Sequence, residues 1–221
     1  MPSSRYAHIP MILDIVRELD PSSILDVGIG FGKWGHLFRE YTDIASSAAD
    51  PERYSRVNWR VNIDGIEGYP PYITEMHRFI YNEIHVGDMC RVITDVPLYD
   101  VVFLGDVLEH VEKHTGQTLV AQCIQHARKA VIITTPAKET SQGALCGNEL
   151  EVHRSLWAKE ELREFEGSHV TRAPGETWIA VILRPGLQMP WSVRHWELSG
   201  PQRIWLRLKR AVLRRWWALR K

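Results

Sequence analysis

The chain alternates between short apolar runs and longer segments in which apolar residues recur every three or four positions. Residues 8–19 predict a helix with Ile12, Ile15, Val16 and Leu19 on one face. Short apolar runs typical of strands buried in a parallel sheet follow at intervals, at 22–27, 60–67, 83–88, 99–106 and 129–136. Helical patterns lie between or after them, at 33–41, 70–82, 116–128 and 158–166.

The order of these elements predicts the fold class. Strands that alternate with helices through short connections indicate an α/β protein with a doubly wound, mostly parallel sheet. Residues 168–185 predict a closing antiparallel hairpin, which brings the sheet to seven strands. The polar segment 42–59 is predicted to be an irregular insertion, and residues 137–157 a long loop after the fifth strand.

Composition adds limits of its own. The 221 residues are enough for one domain, and no apolar run is long enough to span a bilayer. The first twenty residues contain acidic side chains too early for a secretory signal. Three cysteines without CxxC spacing, Cys90, Cys123 and Cys146, argue against disulfides and structural zinc. We therefore expect a cytoplasmic protein.

The stretch "ILDVGIGFGKWG" joins the first predicted strand to the next helix. In an open α/β sheet such a loop lies at the ligand-binding edge, where glycines allow close backbone approach and the helix N-terminus offers free N–H groups. Residues 30–35 satisfy the dinucleotide pattern GxGxxG, although their register relative to the strand is poor. The alternative pattern is an acid followed by alternating glycines: Asp26, Gly28, Gly30 and Gly32.

With this second pattern the sequence resembles the class I S-adenosylmethionine (SAM)-dependent methyltransferases, over roughly residues 22–185. The motif "ILDVGIGFG" is followed by an acid ending the second strand in "IDGIEGY", by "HVGDM" after the third, and by "YDVVFLGDVLEHV" at the fourth. The resemblance implies a Rossmann-like fold and SAM as cofactor. It assigns Glu67, in preference to Asp64, to the ribose hydroxyls, Asp88 to the adenine, and Asp26 to the glycine loop and the methionine amino group. A loop-stabilising role for Asp26 and a helix-capping role for Asp88 stay open.

Candidates for chemistry follow the fourth strand. Asp106 lies at the cofactor edge, and Asp106, Glu109 and His110 are positioned to act on an acceptor hydroxyl. His110 titrates in the right range for a general base, with packing against the cofactor as its alternative. His153 in the long loop is a second base candidate. Glu109, His110 and His114 do not complete a metal-binding pattern, and we predict no metal site.

The C-terminal segment 203–221 contains eight Lys or Arg residues and no acid, which leaves 19 basic against 27 acidic residues upstream. Its apolar and basic residues fall on opposite faces of a predicted helix, which suits peripheral contact with an anionic membrane. Packing on the domain or on a second copy of the chain in a homodimer, and nucleic-acid binding, are the alternatives. We predict a SAM-binding domain at 1–185, a linker at 186–202 and a basic amphipathic helix at 203–221.

The expected function is methyl transfer from SAM to a hydroxyl of a small molecule or saccharide, which a membrane-bound tail would allow to be lipid-linked. An RNA methyltransferase is the second hypothesis, although the acidic body disfavours it and no motif of the Asn-Pro-Pro-Tyr kind is present. A non-catalytic SAM-binding scaffold is the third hypothesis, and a nicotinamide-dependent dehydrogenase is the fourth.

Overall fold

The computed structural model describes residues 6–47 and 49–195. Within them lie seven β-strands, each beginning close to an apolar run of the sequence. In chain order the strands are β1 (Ser23–Val27), β2 (Asn62–Glu67), β3 (Ile84–Val86), β4 (Tyr99–Gly105), β5 (Ala127–Pro136), β6 (Ser168–Ala173) and β7 (Thr177–Leu183). The basic helix predicted at 203–221 lies outside the described residues.

All seven strands form one sheet in the order β3-β2-β1-β4-β5-β7-β6. The first five run parallel, and β7 pairs antiparallel with both β5 and β6. The predicted α/β class, the mostly parallel seven-stranded sheet and the closing hairpin are therefore confirmed. Strand order reverses between β1 and β4, and in open α/β sheets ligands bind beyond the carboxyl ends at this point.

Helices cover both faces of the sheet and bury two apolar clusters. They are α1 (Ile9–Leu19), α2 (Lys33–Thr42), α3 (Glu75–Ile80), α4 (Met89–Val92), α5 (Lys113–His126), α6 (Lys159–Arg163) and α7 (Trp191–Arg194). One cluster joins α1, α2, α3 and α7 to the sheet, and the other joins α5 and α6 to the opposite face. No helix among the described residues has the length and apolar character needed to cross a membrane.

Two elements differ from the sequence predictions for identifiable reasons. The helix predicted at 70–82 is divided into a 3₁₀ turn and α3, because Thr74 adopts an extended conformation and forms a reciprocal cap with His77. The predicted linker contains α7, which packs on α1. There Glu18 accepts hydrogen bonds from the backbone N–H groups of Trp191 and Ser192. Residues 191–194 within the predicted linker are thus helical.

The polar insertion 42–59 consists of short 3₁₀ turns tied to the domain by charge. Asp43 is fully buried and accepts hydrogen bonds from the guanidinium of Arg39 at 2.6 Å and the backbone N–H of Arg60 at 2.8 Å. Arg53 contributes a further ion pair. A buried carboxylate needs such partners, because its desolvation is otherwise costly. These buried charged contacts therefore hold the described part of the insertion on the domain.

Candidate active site

The glycine loop connects β1 to α2 at the carboxyl edge of the sheet. Gly28, Gly30 and Gly32 have φ values of 76°, 51° and 77°, in the left-handed region that glycine enters without strain. A Cβ atom on Gly28 would lie 2.8 Å from Val107, just after β4, so the loop also packs closely on the exit of that strand. The alternating glycines predicted to form the loop are thus required by its backbone.

Glu67, at the end of β2, holds the glycine loop from the side. Its side chain is 5% exposed, and its two oxygens accept the backbone N–H groups of Gly30 at 2.9 Å and Tyr69 at 2.7 Å. Burial is the main cause that raises the pKa of Glu67, and these two hydrogen bonds oppose it. A carboxylate has about four acceptor positions, so Glu67 keeps acceptor capacity beside the cavity that it lines.

Asp26 lies beneath the loop and does not line the cavity. It is 1% exposed and accepts a 2.6 Å hydrogen bond from the hydroxyl of Tyr81. Burial raises its pKa to about 7, and the negative charge of Glu67 acts in the same direction. These contacts support the glycine loop and α2 from below, as the loop-stabilising alternative expects, and the predicted role of Asp26 toward the methionine amino group stays a prediction.

His77 also supports the glycine loop. Its Nδ1 accepts the backbone N–H of Thr74 at 3.1 Å, so the ring proton is on Nε2, which donates to the carbonyl of Gly30 at 3.0 Å. Burial lowers the pKa of His77, which favours this neutral tautomer. A Cβ atom added to Gly32 would lie only 2.9 Å from the His77 ring, so the glycine is needed for this contact.

Asp88 and Asp106 line the cavity at the ends of β3 and β4. The Asp88 side chain accepts the backbone N–H of Cys90 at 2.9 Å and so caps α4, the alternative that the sequence left open. Asp106 has a φ of 56°, uncommon for a residue with a side chain, and accepts the hydroxyl of Thr134 at 2.9 Å. Both carboxylates retain acceptor capacity at the cavity.

Glu109, His110 and His153 come together at the cavity wall. One ligand atom from each lies within 4.8 Å of the others, and the two imidazole rings meet edge to face at 4.8 Å between centroids. Burial lowers the pKa of His110 to about 4, with nearby His153 as the second cause. Burial also raises the pKa of Glu109 well above its usual value. His114 is exposed on α5 and is not part of this cluster.

The long loop after β5 reaches this cluster because its end is fixed. Trp157 is buried, and its indole N–H donates to the carbonyl of Leu108 at 3.2 Å. The backbone N–H groups of Arg154 and Ser155 donate to the carbonyl of Glu109. Together these contacts bring His153 to the residues that follow β4, a juxtaposition that the sequence spacing did not predict.

The cavity between these walls has a volume of about 1310 Å³. It exceeds the roughly 300–1,000 Å³ usual for a site that holds one drug-sized ligand. Phe31 and Tyr72 line the cavity and stack at 5.4 Å between ring centroids, and Tyr72 donates a hydrogen bond to Glu151. Sequence reasoning missed Tyr72, Glu151 and Tyr81, because no motif distinguishes them. The predicted Glu67, Asp88, Asp106, Glu109, His110 and His153 all line the cavity.

The fold matches those of solved methyltransferases. The methyltransferase domain of the bacterial protein CtHen1 matches with a TM-score of 0.54 and 14% identity, over 80% of this chain and 98% of that one. A putative O-methyltransferase from Nostoc punctiforme matches with a TM-score of 0.52 and 18% identity, over 80% of this chain and 55% of that one. The N-terminal domain of EvdMO1, solved in the presence of S-adenosylhomocysteine (SAH) and D-fucose, matches with a TM-score of 0.52 and 16% identity. This match covers 82% of this chain and 83% of that one.

No family model and no curated sequence matches the chain. At these identities the likeness establishes the fold, which is that of the class I methyltransferases. The Rossmann-like methyltransferase fold implied by the sequence resemblance is therefore confirmed.

Proposed function

We propose that the protein transfers a methyl group from SAM to a hydroxyl oxygen of a polar small molecule or saccharide. The observation that carries the proposal is Glu67, a carboxylate fixed at the end of β2 by Gly30 and Tyr69 with acceptor capacity toward the cavity. Two ribose hydroxyls are the donors that such a carboxylate suits. The glycine loop beside it leaves room for the rest of the nucleoside.

The charge of the cavity supports a neutral, hydroxyl-rich acceptor over a nucleic acid. Among the described residues that line the cavity, carboxyl side chains outnumber cationic ones. The cationic residues are Lys33 and Arg154, and the acidic residues are Glu67, Asp88, Asp106, Glu109, Glu112, Glu151 and Glu176. A polyphosphate chain would be repelled there, because RNA and DNA binding relies on Lys and Arg at the phosphates. Sugar hydroxyls can instead donate to these carboxylates.

Methyl transfer from a sulfonium needs alignment of donor and acceptor and exclusion of water, more than covalent help from the protein. An acceptor hydroxyl also has to lose its proton. His153 donates its Nδ1 proton to the carbonyl of Thr140, which leaves Nε2 as the basic nitrogen. We therefore assign the general-base role to His153. Neutral His110 helps to form the wall beside it.

The first test measures cofactor binding by calorimetric titration with S-adenosylhomocysteine (SAH), with NAD⁺ as the comparison. We expect micromolar binding of SAH alone. Glu67→Gln should weaken it about 30-fold or more (about 2 kcal/mol), because a charge-assisted acceptor becomes a neutral amide. Glu75→Gln is the matched control, since that side chain is 96% exposed on α3.

Each outcome has a separate meaning for the proposal. Unchanged SAH affinity in Glu67→Gln, with the fold intact by circular dichroism, would contradict the ribose assignment. Binding of NAD⁺ in preference to SAH would favour the dehydrogenase hypothesis. SAH binding without methyl transfer to any sugar in a radiolabelled acceptor screen would leave the scaffold hypothesis in the lead.

A further inference from the structure

Although the sequence alone predicted no metal site, we propose that Glu109, His110 and His153 form a binding site for a divalent transition-metal ion in the cavity that they line. The three residues come from two separate segments, the turn after β4 and the long loop after β5. Each offers one nitrogen or oxygen ligand, and these atoms lie within 4.8 Å of one another. Binding of a cation by these residues does not depend on methyl transfer, whereas its chemical role rests on the proposed function.

The surroundings of His153 are those of a ligating histidine. Its Nδ1 is hydrogen-bonded to the backbone carbonyl of Thr140, so the proton is on Nδ1 and the lone pair is on Nε2. Metal-bound histidines almost always donate their second nitrogen to a carbonyl or carboxylate in this way, which fixes the tautomer and the ring. The backbone around Arg154 and Ser155 is held to Glu109, so the loop that carries His153 is anchored beside its partners.

Glu109 and His110 carry polar atoms that the described protein leaves only partly used. Glu109 is 3% exposed, and its Oε2 accepts the hydroxyl of Thr135 at 3.1 Å. This hydrogen bond from Thr135 orients the Glu109 carboxylate, as outer-shell partners of metal ligands do. His110 has a buried Nδ1 with no hydrogen-bond partner.

The set of donors selects the kind of cation. Two imidazole nitrogens and one carboxylate suit the ions from Mn²⁺ to Zn²⁺, whereas Mg²⁺ prefers oxygen ligands and keeps its waters. Bonds of about 2.1 Å place neighbouring ligand atoms about 3–3.4 Å apart. The side chains must therefore close by roughly 1.5 Å on binding. Three protein ligands leave further coordination positions for acceptor oxygens or water.

The site would give the proposed methyl transfer a second means of activating the hydroxyl. A coordinated hydroxyl has a lowered pKa and can release its proton to a solvent water. The resulting alkoxide oxygen forms a bond to the methyl carbon, and the electron pair of the breaking carbon–sulfur bond stays on sulfur, which yields the methyl ether and SAH. A histidine that binds the cation cannot also accept the proton, so the base role of His153 belongs to the metal-free protein alone.

The experiment uses untagged full-length protein, because a histidine tag binds the same ions. After dialysis against chelator, the protein is titrated with Mn²⁺, Co²⁺ and Zn²⁺ by calorimetry, and the Co²⁺ form is examined by its visible d–d absorption. We expect one ion per chain. His153→Gln and Glu109→Gln should each weaken binding about 100-fold or more, since even outer-shell changes cost about 10- to 100-fold. His114→Gln, an exposed histidine nearby, is the control and should bind like the wild type.

Three results would overturn the proposal: no stoichiometric binding, equal loss in His114→Gln, or retention in both cluster variants. SAH binding is measured on the same preparations, so that the two proposals are separated. SAH binding with no metal binding removes only the metal site. Metal binding with no SAH binding removes only the methyltransferase function.

Discussion

At the scale of single residues, the least exposed carboxyl at the site is the one that does not touch the cavity. Asp26 lies under the glycine loop, bound by the hydroxyl of Tyr81 and close to the charge of Glu67. Its burial raises its pKa to about 7 from the usual 3.8. The folded protein therefore binds this proton more tightly than the unfolded chain does. The stabilising contribution of this bound proton is therefore fully present at low pH.

This difference in proton binding predicts that the free energy of unfolding depends on pH. Between about pH 4 and pH 7 the unfolded chain loses the Asp26 proton while the folded protein retains it, so the free energy of unfolding falls as pH rises. The loss is complete above pH 7 and amounts to at most about 4 kcal/mol. Asp26→Asn should remove this part of the dependence, so that the variant gains stability relative to wild type as pH rises. Urea unfolding from pH 4.5 to 8 measures the difference.

The exposed Asp20→Asn serves as the control for that experiment. Asp20 has a φ of 44°, which asparagine also tolerates, so this variant should follow the wild-type pH dependence. A constant difference between Asp26→Asn and the wild type across the whole range would show that the carboxyl does not titrate on unfolding.

The sequence predicted residues of the site where the end of a strand determines the position of the residue. Glu67, Asp88 and Asp106 each follow an apolar run, so the parallel sheet alone brings them to one edge. His77 and His153 depend on tertiary packing instead. His77 reaches Gly30 only because Thr74 interrupts the predicted helix, and His153 reaches His110 because Trp157 anchors the returning loop. Neither contact leaves a pattern in local spacing.

At the scale of elements, apolar runs predicted all seven strands, while short helices were harder to place. The four residues of α4 depend on the Asp88 cap and were not predicted. The pairing of α2 with the segment after α3 was likewise invisible in the sequence. Gly35 lies inside α2, and the ring of Tyr81 fills the space where its side chain would be. One of the glycines in the GxGxxG pattern therefore serves packing.

This close packing predicts whether Gly35→Ala raises or lowers the stability of the protein. Alanine is better than glycine within a helix by about 1 kcal/mol, which alone would stabilise Gly35→Ala. Its Cβ atom, however, would overlap the buried ring of Tyr81, and overpacking of this kind costs about 1–3 kcal/mol. We expect net destabilisation and disturbance of the Tyr81–Asp26 hydrogen bond. Thermal and urea unfolding measure it.

Gly143→Ala provides the matched comparison, because a Cβ atom there meets no neighbour within 4 Å. It should change stability by no more than about 0.5 kcal/mol. Stabilisation by Gly35→Ala would mean that Tyr81 moves aside readily, and the support assigned to it under the glycine loop would be wrong.

At the scale of the whole molecule, charge is divided between an acidic body and a basic C-terminal segment. Residues 203–221 carry eight of the 27 basic residues and no acid. Near an anionic lipid surface each Lys or Arg contributes about 1 kcal/mol, and the effect falls with salt. We propose that this segment holds the protein at an anionic membrane, as the sequence predicts.

A chain ending at residue 202 should therefore lose binding to vesicles that contain phosphatidylserine. Sedimentation of both forms with anionic and with neutral vesicles, at low and high salt, measures this loss. SAH binding to the shortened chain is the control for an intact fold. If the shortened chain still sediments with anionic vesicles, or if the full chain prefers RNA, the membrane assignment fails.

The docking of α7 on α1 has a geometric consequence for how this protein can be handled. Glu18, which binds α7, lies near the end of α1 that leads into β1, at the amino edge of the sheet. Tyr6 and Ala7, which line the cavity, precede the other end of the same helix, roughly 16 Å away at 1.5 Å per residue. The last described residues thus lie at the edge of the sheet opposite the cavity. A label attached at the exposed Arg194 would therefore leave the cavity open to the solution.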